Sequence, residues 1–149
     1  MLASHQNCRA LVPGERQFSD AQLQAVIARG GVIGVSMDTW MLYAPSNLDW
    51  AKAGVTDRRA LFARSDVTLA HVADHIDHLC QLAGNADHAA IGGDTDGQGG
   101  ADGAPAEVDT VADYQKVATI LTQRGYTQAA IEQIMFRNWQ RFYTQWLPA

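Results

Sequence analysis

Short apolar runs separated by longer amphipathic segments characterise this chain and predict an α/β protein. Three of the runs have the length and composition of strands: Met1–Ala3, Val32–Ser36 and Ala89–Ile91. The second run is rich in β-branched residues and bounded by glycines, which is typical of a buried parallel strand. The first run opens the chain without a polar lead-in and is predicted to be the end of a strand.

The first two amphipathic segments predict helices with recognisable ends. Ser19 and Gln22 form a capping-box pattern, and the helix that they begin is expected to stop at Gly30. A second helix is predicted from Thr68 to Ala83. Its apolar stripe consists of Leu69, Val72, Ile76, Leu79 and Ala83.

Two further helices are predicted after the third strand, over Val111–Arg124 and from Thr127 onward. The inward positions expected in the first of them are Val111, Tyr114, Val117 and Leu121. Those expected in the second are Ile131, Ile134 and Met135, followed by an aromatic packing face of Trp139, Tyr143 and Trp146. The stretch Met37–Asp66 has no clear period, and a long excursion of this kind after a strand often covers a functional face.

The predicted order β-α-β-α-β-α-α implies parallel strands joined by right-handed crossovers. Three strands are too few to close a barrel, which needs about eight strands and about 250 residues. With 149 residues, the chain is therefore expected either to be a fragment of a larger protein or to pair with something else. In such a piece we expect Ile33, Val35 and Ile91 to form an uncovered inner face, which predicts self-association.

Charge and composition exclude several function classes. A net charge of −5 and an isoelectric point near 5.3 argue against a nucleic-acid partner. No stretch has the apolar length of a membrane span, and no signal-peptide pattern opens the chain. Two cysteines, Cys8 and Cys80, are too few for a disulfide framework. Together these observations predict a cytoplasmic location.

Candidate chemistry begins with Asp94, which follows the third strand through two glycines. A carboxylate at the carboxyl end of a strand is where α/β enzymes build active sites. The alternative is a turn-forming aspartate before a flexible loop. A calcium loop is excluded because its twelfth position is Pro105 instead of glutamate.

Histidines provide two further candidates. His5 follows the first strand, but a single histidine has no ligand signature of its own. His71, His75 and His78 fall on one face of the second predicted helix, a face that we expect to lie away from the apolar stripe. A pair at i, i+4 can bind zinc, yet the glutamate of a His-Glu-x-x-His motif is absent here.

Three motifs together resemble the membrane (renal) dipeptidase family, binuclear zinc enzymes of the amidohydrolase superfamily. They are Ser4-His5-Gln6-Asn7-Cys8, Val72-Ala73-Asp74-His75-Ile76-Asp77-His78 and Ile91-Gly92-Gly93-Asp94-Thr95-Asp96-Gly97. The resemblance covers nearly the whole chain and implies that the chain, residues 1–149, is the C-terminal segment of such an enzyme. The fold that it implies is a partial TIM (β/α)8 barrel, about the last three parallel strands with their helices.

The resemblance also implies roles for single residues. His5 matches the histidine that binds the second zinc ion, and Arg16 matches the arginine that binds the carboxylate of the dipeptide substrate. Asp94 matches the aspartate that handles the proton of the attacking water. Arg9 does not match the substrate-binding arginine, and the family's helical histidines are not its ligands.

Departures and missing parts limit what the resemblance implies. Thr95 stands where the family often has Phe or Leu, while Asp96 is kept and is expected to play a supporting or structural role. The other zinc ligands of the family, and the histidine that polarises the scissile carbonyl, are expected upstream of Met1. At most one zinc ligand, His5, is therefore expected in this chain.

The sequence thus predicts part of a zinc-dependent dipeptidase, with a dipeptide as substrate and two zinc ions in the intact enzyme. The chain alone is expected to be inactive. The alternative is a non-catalytic α/β module that self-associates or docks on a partner. Trp40 and Tyr43, in the long excursion, are candidates for lining a substrate pocket.

Overall fold

The computed structural model describes residues 1–45, 63–95 and 100–147. Three parallel strands form one sheet in the order β1 (Leu2–Ala3), β2 (Val32–Ser36) and β3 (Ala89–Gly93). Leu2 pairs with Val32, and Ile33 pairs with Ala89. The predicted strands and their parallel arrangement are confirmed.

Helices connect the strands and follow them. The α-helices are α1 (Asp20–Ile27), α2 (Thr39–Leu42), α3 (Leu69–Ala83), α4 (Lys116–Gln123), α5 (Gln128–Glu132) and α6 (Asn138–Trp146). Short 3-10 turns lie at Arg64–Asp66, Gly100–Gly103 and Val111–Gln115, and a π-helical turn at Gln133–Arg137 joins α5 to α6. Within the described ranges, no helix is both long and apolar enough to cross a lipid bilayer.

The predicted helix ends are largely confirmed. Ser19 accepts from the backbone N–H of Gln22, whose side chain in turn accepts from the backbone N–H of Ser19. Gly84 ends α3 with φ of 72°, a left-handed conformation that glycine adopts without steric cost. The expected inward position of Val111 is wrong, because the segment starts as a 3-10 turn and leaves that side chain 78% exposed.

The main core lies between the sheet and the helices α1, α3, α4 and α5. Ile33 and Val35 of β2 are fully buried in it, because alternate residues of a strand point to one face. Ile91 of β3 packs against the same core. The expectation that these three residues form an uncovered inner face is therefore wrong, since they point toward the helices.

The opposite face of the sheet is small and is covered by α6. Val32 and Ala90 point to this side and pack with Phe142 and Trp139. A side chain at Gly34 would collide with the Trp139 ring, because a Cβ there would lie 2.9 Å from it. The π-helical turn precedes α6, and α6 turns onto this second face while α5 stays in the main core.

The far edge of β3 is also covered. Ile33 donates to His88 O at 2.7 Å, so the alternation of a parallel strand directs the carbonyls of Ala89 and Ile91 away from β2. Asn138 Nδ2 donates to Ala89 O at 2.9 Å, and Trp139 Nε1 donates to Ile91 O at 2.9 Å. Side chains of one helix thus occupy two of the carbonyls that a further strand would use.

The aromatic packing face predicted at the end of the chain is only partly correct. Trp139 packs on the sheet and stacks on Tyr143 with ring centroids 5.8 Å apart. Trp146 is 59% exposed, and the buried aromatic of α6 is Phe142. The long excursion after β2 begins with α2, and its residues 46–62 lie outside the described residues.

Candidate functional site

The carboxyl ends of the three strands lie at one edge of the sheet, where α/β folds place their ligands. His5 follows β1, Ser36 ends β2 and Asp94 follows β3. The sequence-predicted residues His5 and Asp94 are thereby carried by the two outer strands, with β2 between them. Arg16 joins them from the loop between β1 and α1.

His5 is exposed and its ring is oriented by its neighbour. Ser4 Oγ lies 2.7 Å from His5 Nδ1, and Nε2 has no hydrogen-bond partner among the residues that the structure describes. Metal-binding histidines usually have the second ring nitrogen held in this way, because that contact fixes the ring plane and the tautomer. His5 therefore has one ring nitrogen held and the other available.

Arg16 lies beside His5 and is held by the same loop. Its Nη1 donates to Gln6 Oε1 at 2.7 Å, and its Nη2 donates to the carbonyl of His5 at 3.3 Å. The guanidinium is otherwise exposed. A planar cation in that position can receive a carboxylate through two parallel hydrogen bonds.

Asp94 has a left-handed backbone with φ of 68°, unique among the non-glycine residues that the structure describes. Left-handed backbone is unfavourable for a residue with a Cβ, and such conformations concentrate at functional sites. Ser36 Oγ donates to Asp94 Oδ2 at 3.2 Å, so the end of β2 holds the carboxylate. Asp96 lies outside the described residues.

Asn7 links the loop after β1 to the end of β2, a role that was not predicted from the sequence. Its Oδ1 accepts from Ser36 N–H at 2.8 Å, and its Nδ2 donates to Ser36 O at 3.1 Å and to Met41 O at 2.8 Å. The amide is completely buried, so each bond replaces one lost to water. A polar run directly after one strand, and a serine ending the next, are the sequence signals that point to such a link.

The three helical histidines contact three different neighbours. His75 is 1% exposed, and its Nδ1 accepts from the backbone N–H of Cys8 at 3.1 Å. His71 Nδ1 accepts from Thr68 N–H, and His78 Nε2 lies 2.8 Å from an Asp20 oxygen. The expectation that this face lies away from the apolar stripe is wrong for His75, which α3 buries against the loop after β1.

Burial lowers the pKa of His75 to about 3, with smaller contributions from His78 and His71. The ring is therefore neutral and accepts the Cys8 N–H as a structural group. Among the described residues, no three His, Cys, Asp or Glu side chains converge into a group that could hold a metal ion.

The two carboxylates beside these histidines form ion pairs. Arg124 contacts Asp74 at 2.7 Å and also donates to Asp77. Tyr126 OH donates to the other oxygen of Asp77 at 2.7 Å, and burial together with this carboxylate raises the pKa of the phenol. These contacts join α3 to the end of α4.

Comparison with known proteins identifies the family. The family model for membrane dipeptidases, peptidase family M19, matches residues 1–146. A protein of Klebsiella pneumoniae, described as an uncharacterised protein in the pqqA 5′ region, is 33% identical over 141 residues. That match covers 95% of this chain and 45% of the Klebsiella protein.

Two solved structures share the fold. A metallopeptidase from Rhodobacter sphaeroides, crystallised with a phosphinate mimic of the dipeptide L-Ala-D-Ala, superposes with a TM-score of 0.71 at 22% identity, covering 93% of this chain and 34% of that one. The probable dipeptidase PvdM from Pseudomonas aeruginosa gives 0.73 at 23% identity, with 95% and 43% covered.

The chain spans less than half the length of each of these relatives. Its three parallel strands and their helices are accordingly a portion of the larger α/β fold, in agreement with the partial barrel predicted from the sequence. On the family match over residues 1–146, the chain belongs to the membrane dipeptidase family, peptidase family M19.

Proposed function

We propose that this chain contributes a zinc ligand, a substrate anchor and a proton-transferring carboxylate to a zinc-dependent dipeptidase. The observation that carries the proposal is the position of His5, Arg16 and Asp94 at one edge of the sheet. Each has the chemistry that its role requires, and family membership supports a metallopeptidase. The dipeptide specificity, the zinc and the three roles are the parts that experiment must test.

His5 fits zinc as one ligand. Its Nε2 faces no described partner, while Ser4 holds Nδ1 at 2.7 Å. A two-metal centre requires more donors than the described residues of this chain bring together. Zinc, when bound, supplies the charge that polarises a carbonyl and makes a water more acidic.

Arg16 binds the substrate's terminal carboxylate in this proposal. Its guanidinium is exposed, lies next to His5, and keeps donors available beyond those used by Gln6 and the His5 carbonyl. A fixed cation beside the reacting bond would select short peptides, since a longer chain would place its carboxylate elsewhere.

Asp94 takes the proton of the attacking water and delivers it to the leaving amine. Ser36 Oγ holds Oδ2, which leaves Oδ1 for proton transfer. General bases of this kind contribute about 10²–10⁴-fold to the rate. The left-handed backbone directs the side chain from the end of β3 and is the kind of constraint that functional sites retain.

The second candidate is a non-catalytic α/β module. It is favoured by the cover that Phe142 and Trp139 give to the second face of the sheet. That cover leaves β1 as the edge for docking or self-association. The two candidates differ in whether the chain gains dipeptidase activity when the rest of the family fold is supplied.

The test is a fusion of this chain to the part of the Klebsiella protein that lies outside the matched 141 residues. We expect zinc-dependent dipeptide hydrolysis by the fusion and none by the 149-residue chain. Asp94→Asn should lower kcat by about 10²–10⁴-fold with little change in KM. His5→Ala should reduce bound zinc from two ions toward one.

His75→Asn is the matched control, because it replaces a buried histidine whose Nδ1 accepts from the backbone N–H of Cys8. It should leave the zinc content unchanged. Loss of zinc in His75→Asn with retention in His5→Ala would contradict the ligand assignment. A folded fusion that binds no zinc and hydrolyses no dipeptide would favour the non-catalytic module.

A further inference from the structure

Gln6 is a buried polar residue between the candidate metal ligand and the candidate substrate anchor. It is 5% exposed, and its backbone N–H donates to Gly34 O at 2.7 Å. That bond extends the β1–β2 pairing past the end of β1, so the Gln6 backbone is fixed relative to the sheet. A side chain that starts from such a point has few conformations available.

The Gln6 amide and Arg16 are joined by two reciprocal hydrogen bonds. Gln6 Nε2 donates to the Arg16 carbonyl at 2.6 Å, and Arg16 Nη1 donates to Gln6 Oε1 at 2.7 Å. One bond fixes the backbone of Arg16 and the other fixes the end of its side chain. An exposed arginine without such contacts samples many rotamers, and ligand binding must then overcome the loss of conformational entropy when the side chain becomes ordered.

Counting donors shows that the Arg16 guanidinium keeps a binding face. Arginine has five N–H groups in one plane. Nη1 uses one on Gln6 and Nη2 uses one on the His5 carbonyl at 3.3 Å, so three have no partner among the described residues. They belong to Nε, Nη1 and Nη2, the groups that engage a carboxylate in pairs.

Arg9, in the same loop, provides the contrast. Its Nε and Nη2 both donate to the carbonyl of Gln17, at 3.0 and 2.8 Å. Arg9 Nη2 also donates to the carbonyl of Glu15 at 3.5 Å, so among the described residues only Nη1 of Arg9 has no partner. Of the two arginines, Arg16 has its backbone and two side-chain nitrogens held, while one N–H on each of Nε, Nη1 and Nη2 stays available.

We propose that Gln6 is a positioning residue that presents the Arg16 guanidinium to a carboxylate ligand and fixes its distance from His5. This inference rests on the proposed function for the identity of the ligand. The Gln6–Arg16 contacts on which the positioning role depends lie within this chain, so they can be tested by a measurement that does not require enzyme activity. A further consequence is that an acid at position 6 would hold Arg16 but compete with the ligand for its charge.

The first experiment measures rotation about the Arg16 Nε–Cζ bond by 15N NMR in the 149-residue chain. Wild type and three variants are compared: Gln6→Ala, Gln6→Glu and the exposed control Gln24→Ala. We expect Gln6→Ala to speed rotation by about tenfold, because the hydrogen bond to a charged donor is lost. Gln6→Glu and Gln24→Ala should keep the slow rotation.

Equal rotation rates in wild type and Gln6→Ala would overturn the inference, as would fast rotation in Gln6→Glu. If Gln6→Ala does not fold, Gln6→Glu and wild type decide the question. Slow rotation in both supports positioning, whereas a wild-type Arg16 that rotates as fast as free arginine contradicts it.

The second experiment uses the fusion described above with Ala-Ala and its C-terminal amide as substrates. Gln6→Glu should raise KM for the dipeptide about tenfold with little change in kcat, and should have a smaller effect on the amide. A merely structural role would alter both substrates alike, and that result would overturn the inference. An inactive fusion together with slow Arg16 rotation would reject the proposed function and leave the positioning role supported.

Discussion

The two edges of the sheet differ in how they meet their surroundings. At the β1 edge, the strand has two residues, and Met1 and Leu2 are 55% and 40% exposed. At the β3 edge, Asn138 and Trp139 donate to the outward carbonyls. Unpaired strand edges promote association, and covering one with a helix is a known way to prevent it. In the 149-residue chain we therefore expect an added strand to pair more readily with β1 than with β3.

The loops that follow β1 and β3 also differ, because, among the described residues, the loop after the exposed edge is the more firmly held of the two. The loop after β1 is fixed by buried groups, with Asn7 bound to Ser36 and the Cys8 N–H bound to His75. In the described part of the loop after β3, Asp94 has a left-handed backbone and its carboxylate accepts from Ser36 Oγ. The exposed edge thus leads into a rigid loop, and the covered edge leads into a strained one.

The largest expected effect comes from removing the cover of β3. Trp139→Ala deletes the donor to Ile91 O and the ring that packs on Gly34. We expect it to lower the free energy of unfolding by about 3 kcal/mol, the lower end of large aromatic truncations, because the side chain is only half-buried. Urea unfolding of the full chain measures this change.

Trp146→Ala is the matched control on the same helix, since Trp146 is 59% exposed. It should change the free energy of unfolding by less than about 0.5 kcal/mol. Equal effects of the two substitutions would show that the β3 edge does not depend on Trp139, and the contrast between the edges would be lost.

The second effect concerns the rigid loop after β1 and its dependence on pH. His75 has an ordinary pKa of 6.5 that folding lowers to about 3, chiefly through burial. Between these values the unfolded chain binds more protons than the folded chain, so stability is complete above pH 6.5 and falls as the pH drops toward 3. The slope approaches about 1.4 kcal/mol per pH unit, which gives about 2 kcal/mol between pH 6.5 and 5.

His75→Asn removes this titration and can keep an acceptor near the Cys8 N–H. Its free energy of unfolding should therefore vary less between pH 6.5 and 5 than that of wild type, by about 2 kcal/mol. Denaturant unfolding at both pH values checks the difference. Parallel pH profiles for the two proteins would show that His75 takes up its proton without loss of the folded state.

The two edges of the sheet and the loops that follow them also show how much of the fold could be predicted from the sequence. The positions of the strands and the Ser19 cap follow from local patterns, and the parallel arrangement follows from the alternation of strands with helices. The side chains at the carboxyl ends of the strands could be named from motifs. The sequence could not predict which face of β2 packs against the helices. Ile33 and Val32 are both apolar, and only tertiary packing distinguishes them.

The missed contacts have a common physical origin. Asn7, Gln6 and Ser36 are polar residues whose partners lie 10 to 58 positions away. Their roles depend on long-range geometry that no local period encodes. The burial of His75 was missed for a related reason, because a histidine on a helix gives no sign of the backbone N–H that it will accept.

A smaller effect tests the strain in the loop after β3. Asp94→Gly and Asp94→Ala both remove the contact with Ser36, so their difference isolates the backbone. Glycine adopts φ of 68° freely, whereas alanine meets a steric penalty, so the glycine variant should be more stable by about 1 kcal/mol. Thermal unfolding checks the pair. Equal midpoints would mean that the loop relaxes to another conformation.

The smallest change in stability is expected at the exposed β1 edge, where the readout is association. If copies of this chain pair through β1, Leu2→Lys should weaken that pairing, because a charge on an edge strand opposes the addition of a second strand. We expect the dissociation constant in sedimentation equilibrium to rise about threefold, or about 0.6 kcal/mol. The free energy of unfolding should change by less than about 0.5 kcal/mol.

The matched control is Val111→Lys. Val111 is a 78% exposed apolar residue in the 3-10 turn before α4. If Val111→Lys weakens association while Leu2→Lys does not, copies of the chain meet through that turn, and exposure of β1 does not direct their assembly.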